Sequence, residues 1–160
     1  MLYTKETLPL KEIKELPDAP RPKGNPGRKD RPKYKAVVCA FDIETTTLPD
    51  LEQAIMYIWQ FQLDETVTII GRTWEEFLEF LRNVREAIRP KVLCMYVHNL
   101  SFELTFILPY ITRVDTVFAV KPSTPLYCKT ACFEFRCPYL LSGVALKDLP
   151  TKRWKKMVND

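Results

Sequence analysis

The order of elements along this 160-residue chain predicts an α/β or α+β domain, a sheet covered by helices. Three observations carry that reading. An apolar run, Ala36-Val37-Val38-Cys39-Ala40-Phe41, is followed by an aromatic and β-branched one, Ala54-Ile55-Met56-Tyr57-Ile58-Trp59-Gln60-Phe61-Gln62. Behind Thr73-Trp74-Glu75-Glu76, apolar residues recur at steps of three and four. The near-continuous apolar stretch Val92–Val97 suits a strand buried on both faces. Hydrophobic residues make up 46% of the chain, with three Trp, seven Tyr and nine Phe, enough to fill one core.

The first 34 residues read as a basic, Pro-rich leader, and residues 35–160 as the globular domain. Up to Lys35 the chain holds six prolines and ten Lys or Arg against five acids, while the rest has a net charge of −1. The leader is expected to be largely disordered or extended, above all from Pro17 to Lys35, and to attract nucleic-acid phosphates without regard to sequence. Strand one is Lys35–Ile43, strand two residues 54–62, strand three Thr66–Ile70, and the three should be antiparallel neighbours. Thr73 and Glu76 form a capping-box pattern, opening a helix that stops before Pro90. Strand Val92–Val97 is followed by a helix over Phe102–Ile111, which Pro109 should distort or end. Three short strands, Thr116–Val120, Leu126–Lys129 and Cys132–Arg136, precede a basic amphipathic helix over Ala145–Val158. Strand one should lie at the centre of the sheet.

Composition excludes several function classes. There is no secretory signal core and no run of about 20 apolar residues, so neither export nor a membrane span is expected. Five cysteines, an odd number, suggest reduced thiols in a cytoplasmic setting. Cys128, Cys132 and Cys137 are spaced poorly for zinc. His98 is the single histidine, which rules out a histidine-rich metal site and leaves no visible nucleophile pair.

Two segments carry chemistry. In Asp42-Ile43-Glu44-Thr45-Thr46-Thr47, strand alternation puts both carboxylates on one face, about 7 Å apart. Such a pair is costly to desolvate unless a divalent cation neutralises it, and hard oxygen ligands suit Mg²⁺ or Mn²⁺. The plainer reading is a pair of surface or cap-forming acids at a strand end. The second segment, Tyr96-Val97-His98-Asn99-Leu100-Ser101-Phe102-Glu103, lies where a buried strand passes into a helix, an edge where α/β sites form. Here Phe102 can stack on an unpaired base, Asn99 can donate and accept hydrogen bonds, and Glu103 can add a third carboxylate. As alternatives, Phe102 is a core residue, Glu103 a helix-dipole charge and His98 a structural hydrogen-bonding residue.

Taken together, these motifs resemble the N-terminal 3′–5′ exonuclease domain of family B DNA polymerases, in the protein-primed subgroup of phages and of linear or organellar plasmids. The resemblance covers roughly residues 35–158. It implies an α/β, ribonuclease H-like mixed sheet flanked by helices, with a role in DNA replication inside a bacterial or phage-infected cell. It also implies that Asp42, Glu44 and Glu103 are catalytic metal ligands for two Mg²⁺ or Mn²⁺ ions. Thr45, Asn99 and Phe102 would hold the 3′ end of single-stranded DNA, with His98 supporting that loop. The remainder of a polymerase, or a terminal protein, would be a further partner.

The chain departs from that family at two points. Better-known members have Asp where Glu103 stands, and one extra methylene matters to an ion as geometrically strict as Mg²⁺. The third exonuclease motif, Tyr followed four residues later by Asp, is not found after Pro150, where Thr-Lys-Arg-Trp-Lys-Lys-Met-Val-Asn-Asp follows. The expectation is therefore an exonuclease-domain fragment, truncated before that motif and incomplete as a catalyst. One alternative is a non-catalytic module binding single-stranded nucleic acid or protein. The other is a free-standing nuclease that recruits Asp115 or Asp148.

Overall fold

The computed structural model describes residues 2–3, 8–20, 33–50, 52–65, 67–111, 114–143 and 145. Eight strands form one mixed sheet. In chain order they are β1 (Leu2–Tyr3), β2 (Cys39–Leu48), β3 (Gln53–Leu63), β4 (Val67–Gly71), β5 (Leu93–Tyr96), β6 (Thr116–Lys121), β7 (Thr124–Thr130) and β8 (Phe133–Arg136). Their spatial order is β1-β4-β3-β2-β5-β8-β7-β6. The strands β2, β3 and β4 are antiparallel neighbours, as expected. Beyond them β2 pairs with β5, and β5 with β8, in parallel. This is a mixed α/β sheet flanked by helices, with β2 near its middle.

Helix α2 (Trp74–Ile88) forms where the capping pattern placed it. Thr73 Oγ1 accepts from the Glu76 backbone N–H at 3.2 Å, and Glu76 Oε2 accepts from the N–H groups of Thr73 and Arg72. The helix buries Phe77, Phe80, Leu81, Val84 and Ile88. Phe77 and Phe80 meet Trp59, Phe61 and Phe41 in one aromatic cluster with centroids 4.9–5.5 Å apart. The inward residues of β2 and β3 build that core because alternation sends Phe41, Ile43, Trp59, Phe61 and Leu63 inward.

Several boundaries move. Strand β2 begins at Cys39 and continues through Leu48, because Thr45, Thr46 and Thr47 go on pairing with β3. Helix α3 (Leu100–Ile107) starts and stops earlier than its apolar pattern suggested, ending just before Pro109. A short helix α4 (Tyr139–Ser142) follows β8. The helix expected over 145–158 lies outside the described residues, apart from residue 145.

Part of the leader is ordered. Its residues 21–32 lie outside the described residues, while residues 8–20 include one short helix followed by an extended segment. Helix α1 (Leu10–Glu15) lies against α2 and buries Ile13 completely. The buried Lys35 Nζ donates to the carbonyls of Lys14 and Leu16, at 3.2 and 2.6 Å, satisfying acceptors at the C-terminal end of α1. Asp18 then bridges Lys35 and Lys91. One apolar side chain and these ionic ties are enough to fold this part back, a long-range effect that composition does not reveal.

Candidate functional site

Strand β2 lies between β3 and β5, so its two acids sit where the sheet changes from antiparallel to parallel pairing. Phe41 and Ile43 are buried, while Asp42 is half-buried and Glu44 exposed on the opposite face. Across β3, Asp42 faces Gln60 and Glu44 faces Ile58. Register then shifts between Glu44 and Thr45, so that Thr45 faces Met56 and Tyr57 is the extra residue. A bulge of this kind locally increases twist and re-aims the side chains that follow, here Thr45.

Strand β5 ends at Tyr96, and three residues later Asn99 takes the left-handed conformation, with φ 61° and ψ 51°. Asn tolerates that region better than most residues. Its carbonyl accepts from the Phe102 N–H at 2.9 Å, which opens α3, while its exposed amide makes no cap bond. The turn places Glu103 in the first helical turn, where the helix dipole favours an acid.

Glu103 is the electrostatic focus of the site. It is only 4% exposed, and its Oε2 has no hydrogen-bond partner. Burial pushes its pKa up to about 7; its own backbone N–H opposes the rise and the negative charge of Asp42 adds to it. The fold thus places Asp42 close enough to Glu103, 61 positions away in sequence, for its charge to act on that carboxyl. Among the described residues no three His, Cys, Asp or Glu side chains gather into an arrangement that could hold a metal ion. Asp42 and Glu103 are the two carboxylates that the electrostatics link directly. In donor chemistry the pair fits a hard divalent cation such as Mg²⁺ or Mn²⁺, since it offers oxygen ligands, one of them orphaned, with unbalanced negative charge.

The remaining expected residues flank this pair in sequence. Phe102 is 41% exposed and touches Phe106 at 5.1 Å, so it is a surface ring and not a core one. His98 packs edge-on against Tyr139 at 5.4 Å, with its Nδ1 buried and unpartnered. Ser101 Oγ donates to the Ser123 carbonyl at 2.8 Å, mooring the turn between β6 and β7 beside the start of α3. Sequence reasoning missed that contact and also Gln60, whose Nε2 donates to Asp42 Oδ2 at 3.3 Å. The alternation of Trp59, Phe61 and Leu63 with Gln60 and Gln62 was the available signal for Gln60, once β3 was paired with β2. A part-buried cluster beyond the site was missed too. Tyr34 donates to Glu134 at 2.6 Å, and Arg136 clamps the other oxygen of that carboxylate.

No protein-family profile matches the chain, and no curated protein matches it in sequence. Solved structures do match in fold. Phi29 DNA polymerase complexed with single-stranded DNA superposes with a TM-score of 0.57 at 15% identity, over 72% of this chain and 23% of that one. An orthorhombic crystal form of the same polymerase gives the same values. Its ternary complex with primer-template DNA and incoming nucleotide gives 0.50 at 16% identity, over 64% of this chain and 20% of that one. The chain thus spans between a fifth and a quarter of the length of the polymerases it resembles. Among the described residues no helix is long and apolar enough to cross a membrane.

Proposed function

We propose that this chain is the exonuclease-like domain of a protein-primed family B DNA polymerase, holding the 3′ end of a single DNA strand at the Asp42/Glu103 pair. The observation that carries this reading is the buried, unpartnered carboxylate of Glu103, forced toward neutrality beside Asp42 at the middle of the sheet. A structural role would have supplied it with a donor. The fold shared with a polymerase solved with single-stranded DNA supports the choice of ligand.

In this reading Asp42 and Glu103 would hold a Mg²⁺ or Mn²⁺ ion, with Glu44 as an outer ligand recruited from the exposed face. The ion would supply charge neutralisation at a scissile phosphate. The chain's own residues bind and orient the strand. Phe102 offers an exposed ring to a terminal base, worth about 1–3 kcal/mol per stacked base. Asn99 presents an unengaged amide on a rigid left-handed turn, and Thr45 a hydroxyl just past the bulge. His98 braces the turn against Tyr139.

In this reading a site whose third carboxylate, Glu44, is only an outer ligand would hydrolyse weakly; among the described residues no three such ligands are gathered. A second reading, a module that binds single strands without cutting them, draws on the same observation that no group of three is gathered. Incubation of a 3′-labelled oligonucleotide with Mn²⁺ separates the two. Shortening that Asp42→Ala abolishes establishes a nuclease; salt-sensitive binding without shortening establishes the binder. Absence of both overturns the proposal.

A further inference from the structure

The two acids of β2 look equivalent in sequence, yet their cross-strand neighbours on β3 differ. Residues directly opposite in an antiparallel pair stand about 4.5–5.5 Å apart and share a face. Opposite Glu44 is Ile58, which offers no hydrogen bond. Opposite Asp42 is Gln60, and its amide donates to Oδ2 at 3.3 Å. Among the described residues this is the one side-chain hydrogen bond made to Asp42, and it leaves Oδ1 free of side-chain partners. Further along, Gln62 faces Ala40 and has no carboxylate to meet.

A neutral donor at this place has a specific consequence. A Lys or Arg opposite Asp42 would cancel its charge and compete with any cation. A Gln fixes the carboxylate plane through one oxygen and leaves the full negative charge for a ligand. Hydrogen bonds of this kind to ligating groups are worth about 10–100-fold in metal affinity.

We infer that Gln60 is a positioning residue for Asp42: its amide holds one carboxylate oxygen so that the other is presented to a divalent cation. The inference rests on the cation site proposed above and extends it to a residue outside both motifs.

The test titrates Mn²⁺ alone into the full chain and reads water-proton relaxation enhancement, with melting in EDTA as a control on the fold. Wild type should bind Mn²⁺, and Asp42→Ala should lose that binding. Gln60→Leu, which keeps the volume and removes the donor, should weaken the affinity about tenfold while its melting temperature in EDTA stays close to wild type. Wild-type affinity in Gln60→Leu overturns this inference and leaves the cation site standing. Wild-type protein that binds no more Mn²⁺ than Asp42→Ala overturns both. Should Gln60→Leu fail to fold, Gln60→Glu decides. Its carboxylate repels Asp42, so its melting temperature should fall in EDTA and recover with Mn²⁺; a loss that Mn²⁺ does not reverse overturns the inference.

Discussion

Replacing Glu103 by Gln should stabilise this protein in the absence of metal, a result opposite to that of most core substitutions. Burial raises the carboxyl from its ordinary value of 4.5 to about 7, with the charge of Asp42 adding to the effect. The folded state therefore binds more protons than the unfolded one across that interval. The stability tied to the proton is fully present below pH 4.5 and lost as pH rises through about 7. A shift of that size corresponds to at most about 3 kcal/mol, and partial solvent screening brings the working figure to about 1–2 kcal/mol. Glutamine has the shape of the protonated acid and never ionises. At pH 8 in EDTA, Glu103→Gln should thus melt roughly 2–8 °C above wild type, given about 2–4 °C per kcal/mol for a chain of this size. At pH 4 the two proteins should coincide. Addition of Mn²⁺ at pH 8 should raise wild type and leave the variant unmoved, since a ligand stabilises only the state that binds it. Thermal melting at pH 4, 6 and 8, with and without Mn²⁺, measures all of this. A variant less stable than wild type at pH 8, or a difference independent of pH, would refute the reasoning.

Other expectations follow from neighbouring features. Gly71 faces Trp59 across the sheet, and a Cβ there would overlap the indole. Gly71→Ala should cost about 1–3 kcal/mol in chemical denaturation, and an unchanged midpoint would show that the indole can move freely. Burial raises the thiols of Cys128 and Cys132 to about 11 and lifts those of Cys39 and Cys94 as well. Their stabilising contribution is present below pH 9 and lost on the way to pH 11, so denaturation midpoints under reducing conditions should fall across that range. A flat profile would contradict the burial of these groups. Phe102→Ala should weaken binding of a single-stranded oligonucleotide by about 1–3 kcal/mol in fluorescence anisotropy, with little effect on melting because the ring is exposed. Undiminished binding would remove Phe102 from the strand path.

Much of the scaffold could be read from residues close together in the chain. Thr73 and Glu76 announced the start of α2, the aromatic run over 54–62 gave β3, and the position of Asp42 on a central strand followed from the order of elements. Local patterns carry that information because caps and alternation act within a few residues. The folding back of α1 could not be read, since it depends on Lys35 reaching the carbonyls of Lys14 and Leu16 and on one buried Ile13. The site was legible in part. Residues of both motifs were visible as chemistry, and Asp42 and Glu103 do act on each other. The outward exposure of Glu44, the bulge before Thr45 and the amide of Gln60 are set by the pairing of β2 with β3, which no single segment encodes.

The most direct test compares binding of a 3′-hydroxyl single-stranded oligonucleotide in Mn²⁺ and in EDTA, by anisotropy, for wild type and for Asp42→Ala. Mn²⁺ should tighten binding to wild type, and the variant should bind equally weakly in both conditions. Binding to wild type that ignores the metal, or a metal effect that persists in Asp42→Ala, would contradict a cation site at the Asp42/Glu103 pair.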